Sequence, residues 1–304
     1  MKTSKFITFT FIISCLLLIG CGKITSSDQS SFDGNKSFSL LKQQVDFGPR
    51  IPGSEASIKC AAFMKNELAK YAAKVREVKF LYSYKNKDIQ MRNIMGIINP
   101  NSKRTILLCA HWDSRPFADQ EVDIDKMSKP IPGANDGASG VAVLLELARV
   151  LSAKDPNCSV LIVFFDGEDF GRIPDEMFLG AKHFAKNIGQ YTNKKIDFGI
   201  LVDMVGDKNL NIPKEEYSVK YAPDIVDLVW NTAAKMGYDS YFNKSLGYEI
   251  SDDHLQLNKE GIKCIDIIDF DYGPWHTLDD TIDKCSPKSL EVVGKVIEQV
   301  VRDY

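Results

Sequence analysis

The chain has 304 residues, of which 44% are hydrophobic and 26% are charged, which is ordinary for a globular protein with a sizeable core. The formal net charge is −3 at pH 7, so the composition does not favour a nucleic-acid partner. We find no internal repeat and no long low-complexity tract in the chain.

The first 21 residues have the pattern of a secretion signal. Two lysines make a basic start, and the apolar stretch 6–19 is too short to span a membrane comfortably. Gly20 stands directly before Cys21, which resembles the processing site of bacterial lipoproteins. We therefore expect Cys21 to carry lipid and to anchor an exported protein to a bacterial membrane, on the periplasmic side or at the cell surface. A plain signal peptide with an incidental cysteine is the alternative. Residues 22–36 are expected to form a flexible tether.

Residues 37–304 are expected to form a single α/β domain in which strands and helices alternate. The predicted strands cover 93–98, 105–110, 159–165, 198–202 and 263–268. The predicted helices cover 54–72, 138–153, 179–187, 223–236, 253–260 and 287–303. This alternation predicts a largely parallel, doubly wound sheet with helices on both faces.

Residues of the kinds that bind metals follow several apolar strands. In open α/β sheets the functional site lies beyond the carboxyl ends of the strands, so these side chains are expected to converge. Carboxylate and imidazole ligands, without cysteines at metal-type spacing, suit zinc, whose catalytic sites keep three protein ligands and one open position. The candidates in chain order are His111, Asp136, Glu168, Asp169, Asp203 and His276.

Glu168 and Asp169 are the most informative pair among these candidates. They follow the strand 161–165, which is apolar enough to be the buried middle of a sheet. Neighbouring residues on extended backbone point to opposite sides, so one carboxylate can bind a metal while the other faces a substrate. An acidic turn that caps the next helix is the alternative for this pair taken alone.

The order of these motifs resembles the zinc aminopeptidase-type α/β superfamily and, within it, the glutaminyl-peptide cyclotransferases of animal type as found in some bacteria. The resemblance extends from about residue 48 to the C-terminal helix and implies a three-layer αβα sandwich with a central, twisted, mixed but mostly parallel sheet. The motifs that carry it are His111-x-Asp113-Ser114, the glycine-rich turn 132–140, the segment 164–169, Asp203-Met204-Val205-Gly206, Asp252-Asp253-His254 and Trp275-His276-Thr277.

The resemblance implies that Asp136, Asp169 and His276 hold one zinc ion per chain. In the aminopeptidases of the superfamily, a second ion is held at the positions of His111 and Asp203. Because all five ligand types are present, a di-zinc aminopeptidase that hydrolyses N-terminal residues stays open as the alternative. A catalytically inactive peptide-binding lipoprotein is a third reading.

Three features of the resemblance favour the cyclotransferase. The segment 164–169 has the form found in the cyclases, in which bacterial members often have Asp as the metal-binding acid. The family places at Asp252 an acid that hydrogen-bonds to the residue matching Asp203, and two such close carboxyls share a proton, which makes Asp203 a poor metal ligand. Trp275 resembles the indole that binds the substrate in the cyclase pocket. Bacterial relatives often carry a Trp where this chain has Met177-Phe178, so the pocket wall and the substrate preference stay open there.

The implied reaction converts the N-terminal Gln of peptides or proteins to pyroglutamate with release of ammonia. Zinc polarises the γ-carbonyl group, and Glu168 acts first as general base and then as general acid. Asp203 and Asp252 are implied as its catalytic neighbours. Attack within one residue closes a five-membered ring, so proximity contributes much of the rate. The sequence leaves the physiological substrates and the oligomeric state open.

Overall fold

A six-stranded mixed sheet forms the centre of the protein in the computed structural model, which describes residues 32–304. The strands are β1 (Lys74–Tyr84), β2 (Lys87–Ile98), β3 (Thr105–His111), β4 (Ser159–Phe165), β5 (Phe198–Asp203), β6 (Ile212–Lys214), β7 (Phe242–Leu246) and β8 (Cys264–Ile268). The order in the main sheet is β1–β2–β4–β3–β5–β8, and β6 pairs with β7 in a separate small sheet. Strands β4, β3, β5 and β8 run parallel, whereas β2 is antiparallel to both of its neighbours.

Helices cover both faces of the sheet, which gives the expected three-layer αβα sandwich. They are α1 (Gly34–Val45), α2 (Glu55–Ala69), α3 (Ala138–Ala153), α4 (Leu179–Tyr191), α5 (Glu216–Tyr221), α6 (Pro223–Lys235), α7 (Asp253–Lys259) and α8 (Pro287–Asp303). Alternate side chains of β3 enter two cores. Ile106 and Leu108 pack with α1, α2, α3, α6 and α8, whereas Leu107 and Cys109 pack with α4 and α7.

The hairpin of β1 and β2 extends one edge of the sheet beyond what the sequence predicted. Every residue of β1 is exposed or half-buried, so this strand has no apolar run of the kind that identifies β3 and β4. Its two-residue connection, Lys85-Asn86, has φ of 47° and 61°, as in the tight turns whose twist matches a hairpin. The composition of such an edge strand does not identify it, whereas its pairing with β2 in the structure does.

The N-terminal boundary of the domain differs from the prediction. Helix α1 begins at Gly34, and the side chain of Asp33 caps it by accepting from two backbone N–H groups. Phe32 is buried against α8, where a Cβ on Gly294 would lie 2.2 Å from its ring. Residues 32–36 therefore belong to the folded domain and not to a tether. The predicted signal segment, Cys21 and the range 22–31 lie outside the described residues.

The five cysteines at positions 60, 109, 158, 264 and 285 are buried, and each is a free thiol in the described part of the chain. Within residues 32–304 every helix is too short or too polar to cross a membrane. Packed apolar clusters, of which the two largest lie on the two faces of the sheet, hold the described part of the chain together.

Candidate metal and acid–base site

The candidate site lies at the carboxyl-terminal edge of the parallel strands. His111 is the last residue of β3 and Asp203 is the last residue of β5, while Glu168 follows β4 within three residues. Asp136 precedes α3, and His276 lies in the turn after β8. A cavity of about 210 Å³ opens here, and its wall includes Asp136, Glu168, Asp169, Met177, Asp203, Met204, Ile250, Asp252, Ile268, Phe270, Trp275 and His276.

Asp136, Asp169 and His276 present three atoms that fit a metal ion. All three residues are buried, and their ligand atoms lie within 4.8 Å of one another. Nε2 of His276 is 3.3 Å from Oδ2 of Asp169 and 3.6 Å from Oδ2 of Asp136. Those two oxygens are buried without a hydrogen-bond partner among the described residues, which is costly unless a cation is bound there. One nitrogen and two oxygens with an open side is a donor set that suits catalytic zinc.

The glycine-rich turn that carries Asp136 is held through its backbone. Asp280 accepts hydrogen bonds from the N–H groups of Asn135 at 2.8 Å and of Asp136 at 3.2 Å. Arg50 is fully buried and donates to carbonyl groups of Trp112 and of residues 132–133. Because these contacts use main-chain atoms, they leave the carboxylate of Asp136 free to face the cavity.

Asp113 fixes the turn that follows β4. Its carboxylate accepts from the backbone N–H groups of Glu168 at 3.1 Å and of Asp169 at 3.2 Å. It also lies 3.6 Å from Nδ1 of His111. Gly137 lies against this residue with a φ of 91°, and a Cβ there would be 2.3 Å from the Asp113 carbonyl oxygen. Only glycine fits this approach, so the motifs around Asp113 and Asp136 interlock.

His276 is oriented by a carboxylate and an aromatic ring. Its Nδ1 lies 3.2 Å from Oδ1 of Asp119, and the Trp275 indole stacks on the imidazole with 3.8 Å between ring centroids. The backbone of His276 is in the left-handed region, with a φ of 56°, a conformation of the kind that concentrates at functional sites. Burial opposes its charge, but the carboxylates of Asp169 and Asp119 raise the pKa of His276 to about 9. The surroundings thus favour a positive charge at this point, whether a proton or a metal ion.

Arg115 contacts both sides of the same group of ligands. It donates to Asp119 through Nε at 2.9 Å and through Nη2 at 2.7 Å. Its Nη1 donates to Oδ1 of Asp169. Arg115 and Asp119 were not predicted as site residues, although both follow the His111-x-Asp113-Ser114 motif within a few residues. Both are charged residues in a stretch with the composition of a loop, and nothing in the sequence indicates which side chains they contact.

His111 and Asp203 form a second contact group beside the first. Nε2 of His111 is 3.1 Å from Oδ1 of Asp203 and 3.1 Å from Oδ1 of Asp136. Burial, opposed by the charge of His111 and assisted by that of Asp252, raises the pKa of Asp203 to about 7. These atoms also lie within 4.8 Å of one another, so the group has the residues that a second ion needs.

Glu168 is placed for proton transfer. It lines the cavity with only 8% of its surface exposed, and its Oε2 is 3.7 Å from Nδ1 of His111. Burial and the negative charge of Asp169 raise the pKa of Glu168 well above its ordinary value. A carboxyl group with a raised pKa beside a metal position is suited to accept and return a proton.

Asp252 lies in the cavity wall, but its expected hydrogen bond to Asp203 is replaced by another arrangement. Its carboxylate caps α7 and accepts from the N–H of Asp253, and it acts on Asp203 through its charge. Behind it, His254 lies 3.8 Å from Asp266 and 3.3 Å from Glu215, and all three are buried. The acidic group therefore extends inward, away from the metal position.

Asp266 and Glu215 were likewise not predicted as site residues. Asp266 gave a usable signal, since a charge inside the apolar strand β8 needs compensation in the same way as Glu168 does. Glu215 lies between two short elements and gave none. Of the pair Met177-Phe178, Met177 lines the cavity, whereas Phe178 is buried at the start of α4.

The fold and these ligands define an α/β protein of the zinc-exopeptidase type. The model of peptidase family M28 matches residues 93–301, more than half of the chain, so the chain belongs to this family. The glutaminyl cyclase of Tannerella forsythia is similar over 90% of this chain and 99% of that chain, with 39% sequence identity and a TM-score of 0.86.

Two curated relatives represent both activities. The aminopeptidase YwaD of Bacillus subtilis is 27% identical over 84% of this chain, which spans only 54% of the length of that relative. The glutaminyl-peptide cyclotransferase of Bos taurus is 24% identical over 84% of this chain and 78% of the relative. Family membership therefore sets the fold, the candidate ligand groups suggest zinc, and the choice of reaction depends on the site.

Proposed function

We propose that this protein is a zinc-dependent glutaminyl-peptide cyclotransferase, which converts the N-terminal Gln of peptides or proteins to pyroglutamate and releases ammonia. The observation that carries the proposal is the contact between His111 and Asp203, the two residues that a second zinc would need. Nε2 of His111 is hydrogen-bonded to Oδ1 of Asp203 at 3.1 Å. Burial, together with the charge of the neighbouring Asp252, raises the pKa of Asp203 to about 7 and so favours its neutral form, which is a poor metal ligand.

The chain's own groups divide the reaction between them. When bound at Asp136, Asp169 and His276, zinc supplies a Lewis acid that polarises the γ-carbonyl group of the substrate. Glu168 takes a proton from the substrate α-amine and returns it to the departing ammonia. Trp275, with the apolar walls of the 210 Å³ cavity, packs the folded Gln side chain and excludes water, the competing nucleophile.

Metal analysis combined with a peptide assay tests this proposal. We expect about one zinc per chain, ammonia and pyroglutamate from Gln-peptides, and no cleavage of Leu-peptides. Two zinc ions together with rapid release of N-terminal leucine would contradict the proposal and identify an aminopeptidase.

A di-zinc aminopeptidase is the second candidate, because one observation favours it. His111, Asp136 and Asp203 form a second group with metal-ligand spacing, in which Asp136 is shared with the first. A peptide-binding protein without catalysis ranks last. Loss of a ligand or of Glu168 would be its signature, and each of these residues is present and buried.

We also propose that the protein is exported and attached to a membrane by lipid on Cys21. The support is the basic start, the short apolar stretch and the small residue before the cysteine. Replacing Cys21 by Ser should move the protein from the membrane fraction to the soluble fraction without changing the activity of the folded domain. Unchanged fractionation would contradict the attachment.

A further inference from the structure

A single buried guanidinium joins two of the three metal ligands. Arg115 is 5% exposed, and its Nε and Nη2 grip both oxygens of Asp119 in a fork, at 2.9 and 2.7 Å. Asp119 in turn lies against Nδ1 of His276. The remaining nitrogen, Nη1, donates to Oδ1 of Asp169. Arg115 thus reaches the Asp169 ligand directly and the His276 ligand through one intervening carboxylate.

In this arrangement one oxygen of Asp169 binds Arg115 and the other faces the metal position. Oδ1 is engaged by Arg115, and Oδ2 is the buried atom that faces Nε2 of His276 at 3.3 Å. Asp136 is divided in the same way, with Oδ1 near His111 and Oδ2 facing His276. Each carboxylate consequently offers one oxygen to the metal position, although a free carboxylate can offer both.

The loop that carries Arg115 is held on both sides. The Arg115 guanidinium lies over the ring of Phe117, 4.5 Å from its centroid. The backbone N–H of Ile131 closes the loop by donating to the Arg115 carbonyl at 3.1 Å, and Gln120 donates to the His276 carbonyl at 3.2 Å. The guanidinium is therefore part of a braced unit and not a mobile surface charge.

We propose that Arg115 is a positioning residue that limits Asp169 to one oxygen ligand and, through Asp119, fixes the ring of His276, so that the zinc site keeps an open position for substrate. The inference rests on the zinc site of the proposed function and not on the cyclisation itself. Arginine can hold this position because its planar guanidinium donates hydrogen bonds to several acceptors at once, whereas a lysine ammonium is a single point charge.

Zinc affinity is the first test, measured by competition with a chromogenic chelator on the folded metal-free protein. We expect Arg115→Lys, which keeps the charge but loses the fork, to weaken zinc binding by roughly 10- to 100-fold, the usual effect of residues that orient metal ligands. Asp119→Asn should weaken it in the same direction. Arg172→Lys is the matched control, because Arg172 lies 3.6 Å from the centroid of the Phe117 ring and has no contact with Asp119 or Asp169 among the described residues. The zinc affinity of this variant should stay unchanged.

The visible absorption of the cobalt-substituted proteins is the second test. Wild type and Arg172→Lys should show the intense bands of a low-coordinate site, and Arg115→Lys should show weaker bands because Asp169 becomes free to bind through both oxygens. Should Arg115→Lys fail to fold, as thermal unfolding would reveal, Asp119→Asn tests the link to His276 by zinc affinity, and Arg115→Gln tests the contact with Asp169 by the cobalt spectrum.

Wild-type zinc affinity together with an unchanged cobalt spectrum in these variants would overturn the proposal and reduce Arg115 to a structural ion pair. Neither readout uses a Gln-peptide, so the two hypotheses fail separately. Absence of pyroglutamate would refute the cyclotransferase, and unaltered metal binding would refute the role of Arg115.

Discussion

The imidazole of His111 and the carboxylate of Asp203 are directly paired, with 3.1 Å between Nε2 and Oδ1. The same nitrogen lies 3.1 Å from Oδ1 of Asp136, whose other oxygen faces the proposed zinc position. A second ion would have to separate this pair, so the pairing makes His111 the residue with which to test whether one metal or two is bound. The first prediction follows directly from it.

Replacing His111 by Ala should leave the zinc content at about one per chain, because the ligand atoms of Asp136, Asp169 and His276 are untouched. The measurement is elemental analysis of wild type and variant after dialysis against metal-free buffer. His276→Ala is the matched comparison and should lose the ion. A fall from two zinc ions to one on removing His111 would instead establish a dinuclear site.

Replacing Glu168 by Gln should lower kcat for pyroglutamate formation by about 10²- to 10⁴-fold, the usual contribution of a general acid–base group. Zinc should remain bound, since Glu168 lies outside the ligand group. Glu260→Gln, an exposed change in the turn after α7, serves as the control and should behave like wild type. Near-normal turnover by the Glu168 variant would exclude its proposed role.

Removing the Trp275 indole should weaken substrate capture. The ring is half-buried, packs against Phe270 with 5.0 Å between centroids, and lines the cavity. Losing a packing surface of this kind costs about 1.5–3 kcal/mol, so Trp275→Ala should lower kcat/KM by roughly 10- to 100-fold, mainly through KM. Trp275→Phe keeps an aromatic face and should lose less. Equal KM values in all three proteins would show that the ring does not hold the substrate.

The buried pair of Glu215 and His254 should make stability depend on acid. Burial alone would raise the pKa of Glu215, but the hydrogen bond and charge of His254 and two further hydrogen bonds lower it to about 2 from an ordinary value of 4.5. Because the pKa is depressed in the folded state, the stabilisation is present above about pH 4.5 and is lost as the pH falls through about 2. It amounts to something on the order of 3 kcal/mol at pH 7.

Glu215→Gln should therefore unfold at lower urea concentration than wild type at pH 7, and the difference should shrink as the pH is lowered from 4.5 towards 2. Glu216→Gln removes the next carboxylate in the chain and is the matched control, which should track wild type. A stability gap between wild type and Glu215→Gln that stays constant over this pH range would contradict the assignment.

Much of the fold was predictable because its strongest signals are local. Strands β3 and β4 are apolar along their whole length, and α3 and α8 were predicted with the bounds that the structure has. Strand β1 and the whole of helix α1 were missed, since a half-exposed edge strand carries no apolar run and the polar start of α1 has the composition of a tether. Only the elements that pack against β1 and α1 in the folded structure identify them.

By itself, the sequence determined which residues stand at strand ends, and hence that Asp136, Asp169 and His276 share one edge of the sheet. The apolar runs locate the strands and the order of elements indicates that they are parallel, and the carboxyl ends of parallel strands lie at the same edge of a sheet. Only the tertiary structure decided that Arg115 divides the oxygens of Asp169, 54 residues away, and that His254 lies between Asp266 and Glu215. Such contacts depend on the conformation of the loops, which no hydrophobic periodicity predicts. They also depend on which oppositely charged group lies near each buried charge in the folded chain.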